Sequence, residues 1–360
     1  MADEFEFFLL LPRDRGPVFT SIYKYIRLVT APTVPFPVWE QFVVPLYSLK
    51  FGCDCVHHPY NTGALLNFGA RSVVTVHDLT FQRRDVERDW KSYMIHAYMR
   101  LAFKLGTRRA NKIISVSETT KHALSNAALE STVVYNTVES FVSLYRNRVE
   151  SVGSQPYFLH RGSLAPEHRN TARVIKAFLM SDDLRVNYRL KVLGVPNARD
   201  NLGLHAEDPV DLLTPVSDRE LANLYFNCTG LVAASIVEGF CLPIIEAFGF
   251  GAPVVTSNLN PMLEIASDAA LIVDPYNLNS LQTAMLQLAA DKTTVEQLRV
   301  KGHRRYQDFS VQPIADKLRT IYNSAGGRRT TASAEERHPI SLRRSLRRRG
   351  SCGTRADGSE

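Results

Sequence analysis

Short apolar runs alternate with segments of helical periodicity along most of this chain. Strands that alternate with helices pair in parallel and are covered by those helices, so the pattern predicts an α/β protein built on parallel sheets. The chain has 360 residues, of which 45% are hydrophobic, as in an ordinary globular protein. This length is too great for one core and suits two domains of about 150 residues each.

The alternation predicts individual elements. Strands are expected at residues 5–11, 55–58, 72–76, 112–116 and 132–135, and then at 157–160, 189–193, 211–213, 230–234, 253–256 and 270–273. Helices are expected at residues 90–107, 118–126, 171–180, 218–227, 278–290, 293–306 and 311–323. The polar stretch RNRVESVGSQ at 146–155 interrupts the pattern and is interpreted as an interdomain linker.

The net charge of +7 is concentrated at one end of the sequence. Residues 326–360 hold nine arginines and four acids, which give +5, and the rest of the chain supplies +2. This tail has few apolar residues and is predicted to be disordered. An anionic membrane surface is one candidate partner for its arginines. Nucleic acid is the other anionic candidate, and not the expected one, while an inert solvated tail is the alternative to both.

The cysteines and the hydropathy pattern indicate a cytoplasmic location. The five cysteines show neither Cys-x-x-Cys spacing nor an even count, which favours reduced thiols. No apolar run is long enough for a membrane span, and the acidic start MADEFEFFLLLPRD is unlike a secretory signal. Peripheral binding to the inner face of the plasma membrane, through the basic tail, is a further expectation.

The segment VEGFCLPIIEAFGFGAPVV contains the strongest functional signal. An apolar strand precedes Glu238, and a short apolar helix is expected to begin near Pro243, since proline suits the first helical turn. Glu246 then lies about one turn into that helix. Because the N–H groups and dipole of a helix start attract anions, the two carboxylates and this turn together indicate a site for a long polyhydroxylated anion.

This segment resembles the E-x7-E signature of the retaining glycosyltransferases of family 4. The resemblance implies the GT-B fold, in which two Rossmann-like domains with parallel sheets face each other across a cleft. It places a first, acceptor-side domain at 1–146, the linker at 147–156 and a nucleotide-sugar-binding domain at 157–310, with a helix at 311–325 that crosses back to the first domain. The run FEFFLLLP resembles the family's second strand, so the family's first strand, loop and helix are expected to be missing.

The loop after the second domain's first strand reads HRGSLAPEHRN and resembles the family's phosphate-binding loop. Gly162 would let the backbone approach a phosphate closely, Ser163 follows it, and Arg169 matches the position of the cation that neutralises the diphosphate. The family usually has lysine there, and this loop is one residue longer than the common form. Arg161 takes the place of an apolar residue and is either a second phosphate ligand or an exposed side chain.

The remaining site residues are also assigned through the resemblance. Glu246 would bind the nucleotide ribose, Glu238 the transferred sugar, and the N–H groups of the Gly239, Phe240, Cys241 and Leu242 turn the sugar hydroxyls and distal phosphate. In the first domain, the run VTVHDL ends a strand, and its His77 would face the donor sugar from the carboxyl edge of the sheet. The histidines and acids show no compact metal-ligand spacing, so no metal or other cofactor is expected.

The resemblance implies transfer of a hexose from a nucleotide sugar to a saccharide or lipid-linked acceptor, as in polysaccharide biosynthesis. His77 and Glu238 are the predicted catalytic residues. VTVHDLTF is similar to bacterial polysaccharide mannosyltransferases, so GDP-mannose is the favoured donor and a UDP-hexose the alternative. Two other hypotheses remain open at this stage: a GT-B nucleotide-sugar epimerase, and a non-catalytic nucleotide-sugar-binding or scaffold protein.

Overall fold

The computed structural model describes residues 4–14, 26–82, 90–151, 153, 155–163 and 168–326, with the side chains of residues 91 and 92 excepted. The basic tail from residue 327 onward and the middle of the predicted phosphate loop, residues 164–167, lie outside the described residues.

The strands form three parallel sheets. Their bounds are β1 Phe7–Pro12, β2 Ile26–Ala31, β3 Cys55–His58, β4 Arg71–Val76, β5 Lys112–Ser115, β6 Thr132–Val133, β7 Tyr157–Arg161, β8 Arg189–Leu193, β9 Val210–Leu213, β10 Gly230–Ala233, β11 Val254–Ser257 and β12 Leu271–Val273. The orders are β1–β2, β3–β4–β5–β6 and β12–β11–β10–β7–β8–β9.

Helices connect most of these strands. Their bounds are α1 Phe36–Val38, α2 Val44–Phe51, α3 Trp90–Arg109, α4 Glu118–Ser125, α5 Glu139–Tyr145, α6 Thr171–Leu179, α7 Asp182–Asn187, α8 Asp218–Asn227, α9 Leu242–Phe250, α10 Met262–Ala266, α11 Leu278–Ala290, α12 Lys292–Gln307 and α13 Val311–Gly326. A π-helical segment, Trp39–Val43, joins α1 to α2. The predicted fold class is therefore confirmed: parallel sheets with intervening helices form two Rossmann-like halves.

Each predicted strand and helix is found, with ends shifted by a few residues at most. Several elements were missed: β2, the helical stretch from Phe36 to Phe51, and the short helices α5, α7 and α10. β2 is mostly half-exposed and lacks the continuous apolar run of a central strand. The helical stretch from Phe36 to Phe51 contains two internal prolines and changes from α-helical to π-helical geometry and back, so it shows no regular periodicity.

The six-stranded sheet of the second half is continuous. Its first strand, β7, lies between β8 and β10 and pairs with both in parallel. Phe158 and Leu159 at its centre are fully buried, with Phe158 in one core cluster and Leu159 in the other. β7 therefore unites the two layers of core on either face of this sheet.

The first half differs because its strands are divided between two sheets. A cavity of about 300 Å³ lies between β1 and β3, lined by Phe8, Leu9 and Leu10 on one side and by Cys55 and Val56 on the other. The facing edges of β1 and β3 are not joined by hydrogen bonds among the residues that the structure describes.

Two helices tie the halves of the molecule together. α13 packs on the first half, where Ile321 and Ala325 join the core of β4 and β5 and the Tyr322 hydroxyl lies 2.7 Å from His57 Nδ1. α5 packs instead on the second half, where Val142 lies against Gly249 of α9. A Cβ at Gly249 would come within 2.5 Å of Val142, so the absence of a side chain there allows this close approach.

Candidate functional site

The turn between β10 and α9 is the centre of the site. The chain enters α9 through Cys241, whose φ of 74° lies in the left-handed region, and Pro243 takes an early helical position as predicted. The Cys241 side chain makes no capping hydrogen bond at this helix start. The first N–H groups of α9 and the positive end of its dipole therefore point towards the turn that carries Glu238.

Glu238 pairs with Arg169 beside this turn. Arg169 Nε lies 3.0 Å from Glu238 Oε1, and the Ser235 hydroxyl donates to the same oxygen over 3.2 Å. The two segments are joined by a backbone hydrogen bond from Ile236 N to His168 O of 3.0 Å. The carboxylate is largely buried, with 14% of its side chain exposed, so the Arg169 guanidinium compensates its charge in a poorly solvated place.

Glu246, one turn into α9, pairs with Arg161 as Glu238 pairs with Arg169. Its Oε2 accepts hydrogen bonds from the Tyr225 hydroxyl over 2.6 Å and from Arg161 Nη1 over 3.2 Å. Burial, and then the neighbouring carboxylate, raise the pKa of Tyr225 well above its usual value, so this hydroxyl remains a donor. Arg161 is thus a partner of Glu246. Tyr225 was missed, since a tyrosine on the apolar face of α8 resembles any core residue.

The side chains of Phe240 and Cys241 face the core. Phe240 is 4% exposed and packs against the rings of Tyr135 and Phe309. Burial, followed by the nearby Glu238 carboxylate, raises the pKa of the Cys241 thiol, which is also within electrostatic range of Arg169 and Glu246. The predicted ligand contacts of Phe240, Cys241 and the exposed Leu242 involve their backbone N–H groups and stay a prediction.

Gly162 and Ser163 occupy the start of the predicted phosphate loop. Gly162 N donates to Leu193 O over 2.7 Å, and a Cβ at Gly162 would lie 2.8 Å from Val192 Cγ1. Ser163 N donates to Thr171 Oγ1 at the start of α6 over 2.9 Å. Glycine is therefore required here by close packing on β8, whether or not a phosphate binds above it.

A buried histidine supports this loop from below. His160 Nδ1 donates to Val232 O over 2.7 Å, which leaves Nε2, 3.1 Å from Thr171 Oγ1, as the acceptor. Burial lowers the pKa of His160 to about 4, so the ring is neutral at physiological pH. His160 links β7, β10 and α6, the three elements that position Arg161, Glu238 and the loop. The sequence did not distinguish it from an ordinary strand residue.

His77 lies at the carboxyl end of β4 in the first half. Its Nε2 lies 2.8 Å from Pro59 O and must carry the hydrogen of that bond, so Nδ1 holds the lone pair in the neutral ring. The buried Asn61 accepts from His77 N over 2.7 Å. Asp78 has a local role, because its Oδ1 accepts from Thr80 N over 2.9 Å.

The His77 loop and the Glu238 turn touch each other across the two halves. A Cβ at Gly239 would lie 1.8 Å from His77 O, so only a glycine permits this contact. The structure thus places His77, Gly239 and the Arg169–Glu238 pair side by side. Glu246 lies next to them on α9.

The described part of the chain shows neither a metal site nor a membrane-spanning helix. No group of three or more histidine, cysteine, aspartate or glutamate side chains is arranged to hold a metal ion within the described ranges. In the same part of the chain, no helix has the length and apolar character needed to cross a membrane.

Comparison with known families assigns both halves of the chain. Residues 2–140 match the model described as Glycosyltransferase Family 4. Residues 143–305 match the model described as Glycosyl transferases group 1. The boundary between the two matches falls within α5, next to the predicted linker.

Individual proteins show the same similarity. The O-antigen chain mannosyltransferase RfbU of Salmonella typhimurium is 28% identical over 264 residues, which is 69% of each chain. The O-antigen chain mannosyltransferase B of Escherichia coli is 30% identical over 163 residues, or 43% of this chain and 42% of that protein. WaaG, a glycosyltransferase involved in lipopolysaccharide biosynthesis, has a similar crystal structure, with a TM-score of 0.61, 15% identity and coverage of 83% and 87%.

Proposed function

Because this chain belongs to the glycosyltransferases, with a family 4 domain followed by a group 1 domain, we propose that it transfers a hexose from a nucleotide sugar to a saccharide or lipid-linked acceptor with retention of configuration. The observation that supports this most directly is the pair of Arg–Glu contacts, Arg169–Glu238 and Arg161–Glu246, around the start of α9. GDP-mannose is the proposed donor, since two relatives are named as mannosyltransferases, and a UDP-hexose is the alternative.

The charge of the leaving group explains the proposed role of Arg169. Breaking the anomeric C–O bond leaves additional negative charge on the nucleoside diphosphate, and this charge must be stabilised in advance of the reaction. Arg169 uses Nε towards Glu238, and its guanidinium has four further N–H donors on Nη1 and Nη2. Together with the N–H groups at the start of α9, these donors would hold the diphosphate without a metal.

The two carboxylates would then bind the ends of the donor. Among the residues that the structure describes, Glu246 receives its two hydrogen bonds on Oε2, so Oε1 is the oxygen that would accept from a ribose hydroxyl. Glu238 is bound through Oε1, and its Oε2 would accept from a hydroxyl of the transferred sugar. Each arginine thus fixes one glutamate in the orientation that leaves one oxygen for the ligand.

His77 would approach the sugar from the opposite side. Because Nε2 is engaged by Pro59 O, the ring presents Nδ1 as its other polar atom. In a front-face reaction the departing phosphate oxygen takes the acceptor's proton, so no side chain has to act as general base. His77 and Glu238 would position the sugar and polarise its hydroxyl groups.

A donor assay with matched variants tests this function. The full chain is incubated with GDP-mannose or UDP-glucose and a panel of mannosyl-terminated oligosaccharide and lipid-linked acceptors, and free nucleotide and product are measured. Arg169→Ala should lower turnover about 10²- to 10³-fold, the effect typical of removing one oxyanion-stabilising donor. The control is Arg189→Ala, which breaks the ion pair between Arg189 and Asp211 at the amino end of β8.

Other outcomes would contradict the proposal. Wild-type turnover by Arg169→Ala would remove Arg169 from the diphosphate site. Conversion of donor to its epimer without an acceptor would indicate an epimerase. Calorimetric binding of GDP or UDP without transfer to any acceptor would indicate a non-catalytic homologue, and absence of binding would indicate a scaffold.

We also propose that the basic tail brings the enzyme to the cytoplasmic face of the plasma membrane. The clustered arginines at 343, 344, 347, 348 and 349 would each contribute about 1 kcal/mol near an anionic surface. Sedimentation with vesicles of 30% phosphatidylglycerol tests this at low and high salt. A chain lacking residues 327–360 that sediments equally well would contradict the role of the tail.

A further inference from the structure

The first turn of α4 lies between the two loops of the candidate site. The Ser117 hydroxyl, at the N-cap of α4, donates to Gly239 O over 2.8 Å. Thr120 Oγ1, one turn later, lies 3.3 Å from His77 O and 3.4 Å from Gly239 O. Both residues are buried, so these contacts are shielded from water. α4 therefore touches the His77 loop of its own half and the Gly239 turn of the other half.

A carboxylate from the second half binds the start of this helix. Glu264, on α10, accepts from Glu118 N through Oε1 over 2.8 Å and from Thr119 N through Oε2 over 3.1 Å. The Thr119 hydroxyl donates to the same Oε2 over 3.0 Å. The first N–H groups of a helix have no partner inside the helix, and its dipole favours a negative charge at that end. Glu264 satisfies both requirements.

The local cap of α4 does not replace Glu264. Ser117 Oγ accepts from Thr120 N over 3.0 Å, as an ordinary N-cap does. This leaves the N–H groups of Glu118 and Thr119 for another acceptor. Within the described residues that acceptor comes from the second half, and it is the only carboxylate for which these bonds are found.

Glu264 is itself held firmly in the second half. Arg305 of α12 donates from Nη2 to Glu264 O over 2.7 Å and from Nε to Ile265 O over 3.0 Å. Arg305 is in turn paired with Asp308 at 2.7 Å. The Tyr135 phenol, which belongs to the first half, also lies near this carboxylate, and burial, followed by the Glu264 carboxylate, raises its pKa to about 12. Movement of Glu264 would therefore require movement of α10 and α12.

We propose that Glu264 is a positioning residue that latches the two halves together through α4 and so sets the distance between His77 and the Glu238 turn. This inference rests on the proposed function, since it concerns the closed arrangement of the same donor site. Glu264 touches no donor group in this account. It acts through Ser117 and Thr120, which transmit the position of α4 to Gly239 and His77.

The proposed latch is tested first by structural measurements that do not depend on enzyme turnover. Small-angle scattering of the full chain should show a larger radius of gyration for Glu264→Ala than for the wild type, and amide exchange at Glu118 and Thr119 should be faster. Glu264→Gln should be intermediate, because its amide oxygen still accepts one N–H. The matched control is Asp268→Asn, which weakens a contact of 3.2 Å with Lys301 inside the second half.

The kinetic test separates positioning from donor binding. Glu264→Ala should lower kcat by about 5- to 150-fold, the range of typical interdomain couplings, while the affinity for GDP changes less than about twofold, because the diphosphate groups are held by the second half. Thr119→Val should produce a smaller loss in the same direction. Wild-type scattering and exchange in Glu264→Ala would overturn the latch.

The two proposals fail in different ways. If the wild-type chain transfers no sugar, scattering and exchange still decide whether Glu264 joins the halves. If Glu264→Ala loses GDP affinity in parallel with kcat and unfolds at lower denaturant concentration, its role is structural support of the second half. Loss of kcat with unchanged scattering would likewise contradict the latch.

Discussion

The two halves of this molecule use the same alternation of strands and helices with different results. In the second half β7 pairs on both sides and joins six strands into one sheet, whereas in the first half β1–β2 and β3–β6 are separate sheets. A cavity of about 300 Å³ lies between β1 and β3. A continuous sheet is therefore found in the half that carries both arginine–glutamate pairs, and an interrupted sheet in the half that carries His77.

Because of this difference, the two halves contribute different groups to the proposed site. Strong charge stabilisation needs polar groups fixed in advance, and Arg161, Glu238 and Glu246 all belong to elements packed on a continuous sheet. The first half contributes one loop, at the end of the well-buried β4. The contact of that loop with Gly239 depends on α4 and Glu264 rather than on its own sheet alone.

The largest contrast is expected for two phenylalanines. Phe158 at the centre of β7 is fully buried, so Phe158→Ala should lower the free energy of unfolding by about 3–5 kcal/mol. Phe8 on β1 is half-buried and stacks on Phe51 with ring centroids 5.1 Å apart, so Phe8→Ala should cost less than half as much. Urea unfolding followed by fluorescence measures both. Equal losses would mean that the interrupted sheet is as cooperative as the continuous one.

A second contrast comes from buried histidines. Burial lowers the pKa of His57 and His58 in the first half, and of His160 in the second, to about 4 from the ordinary value of 6.5. The unfolded chain binds more protons between these values, so stability is full above pH 6.5 and falls as pH drops towards 4, by about 1.4 kcal/mol per pH unit for each histidine.

The variants His57→Gln and His160→Gln locate this pH dependence. Each should flatten the fall in the urea midpoint between pH 6.5 and 4.5 by a similar amount, because each removes one buried histidine whose pKa is lowered to about 4. An unchanged slope in both variants would contradict the assignment. Tyr322→Phe, which removes the hydroxyl next to His57 Nδ1, gives a conservative comparison for the first half.

A third contrast concerns two glycines of the site. A Cβ at Gly239 meets His77 O at 1.8 Å, so Gly239→Ala should separate the halves and reduce transfer by about tenfold or more with little loss of stability. A Cβ at Gly162 meets Val192 inside the second half, so Gly162→Ala should cost about 1–3 kcal/mol of stability. Thermal unfolding and initial rates distinguish the two. The reverse pattern would contradict the interdomain contact.

The smallest effect is a difference in amide exchange. Along β1 and β3, the N–H groups that face away from the neighbouring strand should exchange before those of β7, which pairs on both sides. Hydrogen–deuterium exchange, measured by mass spectrometry on overlapping peptides, gives the order in which the N–H groups of these strands exchange. Protection of β1 equal to that of β7 would show that the edge next to the cavity is covered.

Much of the fold could be predicted because its signals are local. The strand at 189–193 and the helices at 218–227 and 278–290 were predicted with the bounds that the structure has. The periodicity of these elements, and the capping of the two helices by Ser217 and Asn277, depend only on residues that are close in sequence. β2 and the helix at 36–51 were missed, since half-exposed strands and proline-containing helices show no clear period.

The candidate site was predicted as a set of residues and not as a set of contacts. The E-x7-E segment gave Glu238 and Glu246, because strand, turn and helix follow one another directly in the sequence. That Arg169 pairs with one glutamate and Arg161 with the other depends on the parallel pairing of β7 with β10, which brings together residues 69 and 85 positions apart.

By itself the amino-acid sequence determined the α/β class, the positions of most strands and helices, and the turn before α9 that carries Glu238. Periodicity, caps and glycine positions act over a few residues, so they can be interpreted without knowing the rest of the molecule. Only the tertiary structure decided that the first half is divided by a cavity, that Tyr225 orients Glu246, and that Glu264 caps a helix of the other half. Those contacts depend on the relative placement of distant segments, which no local pattern encodes.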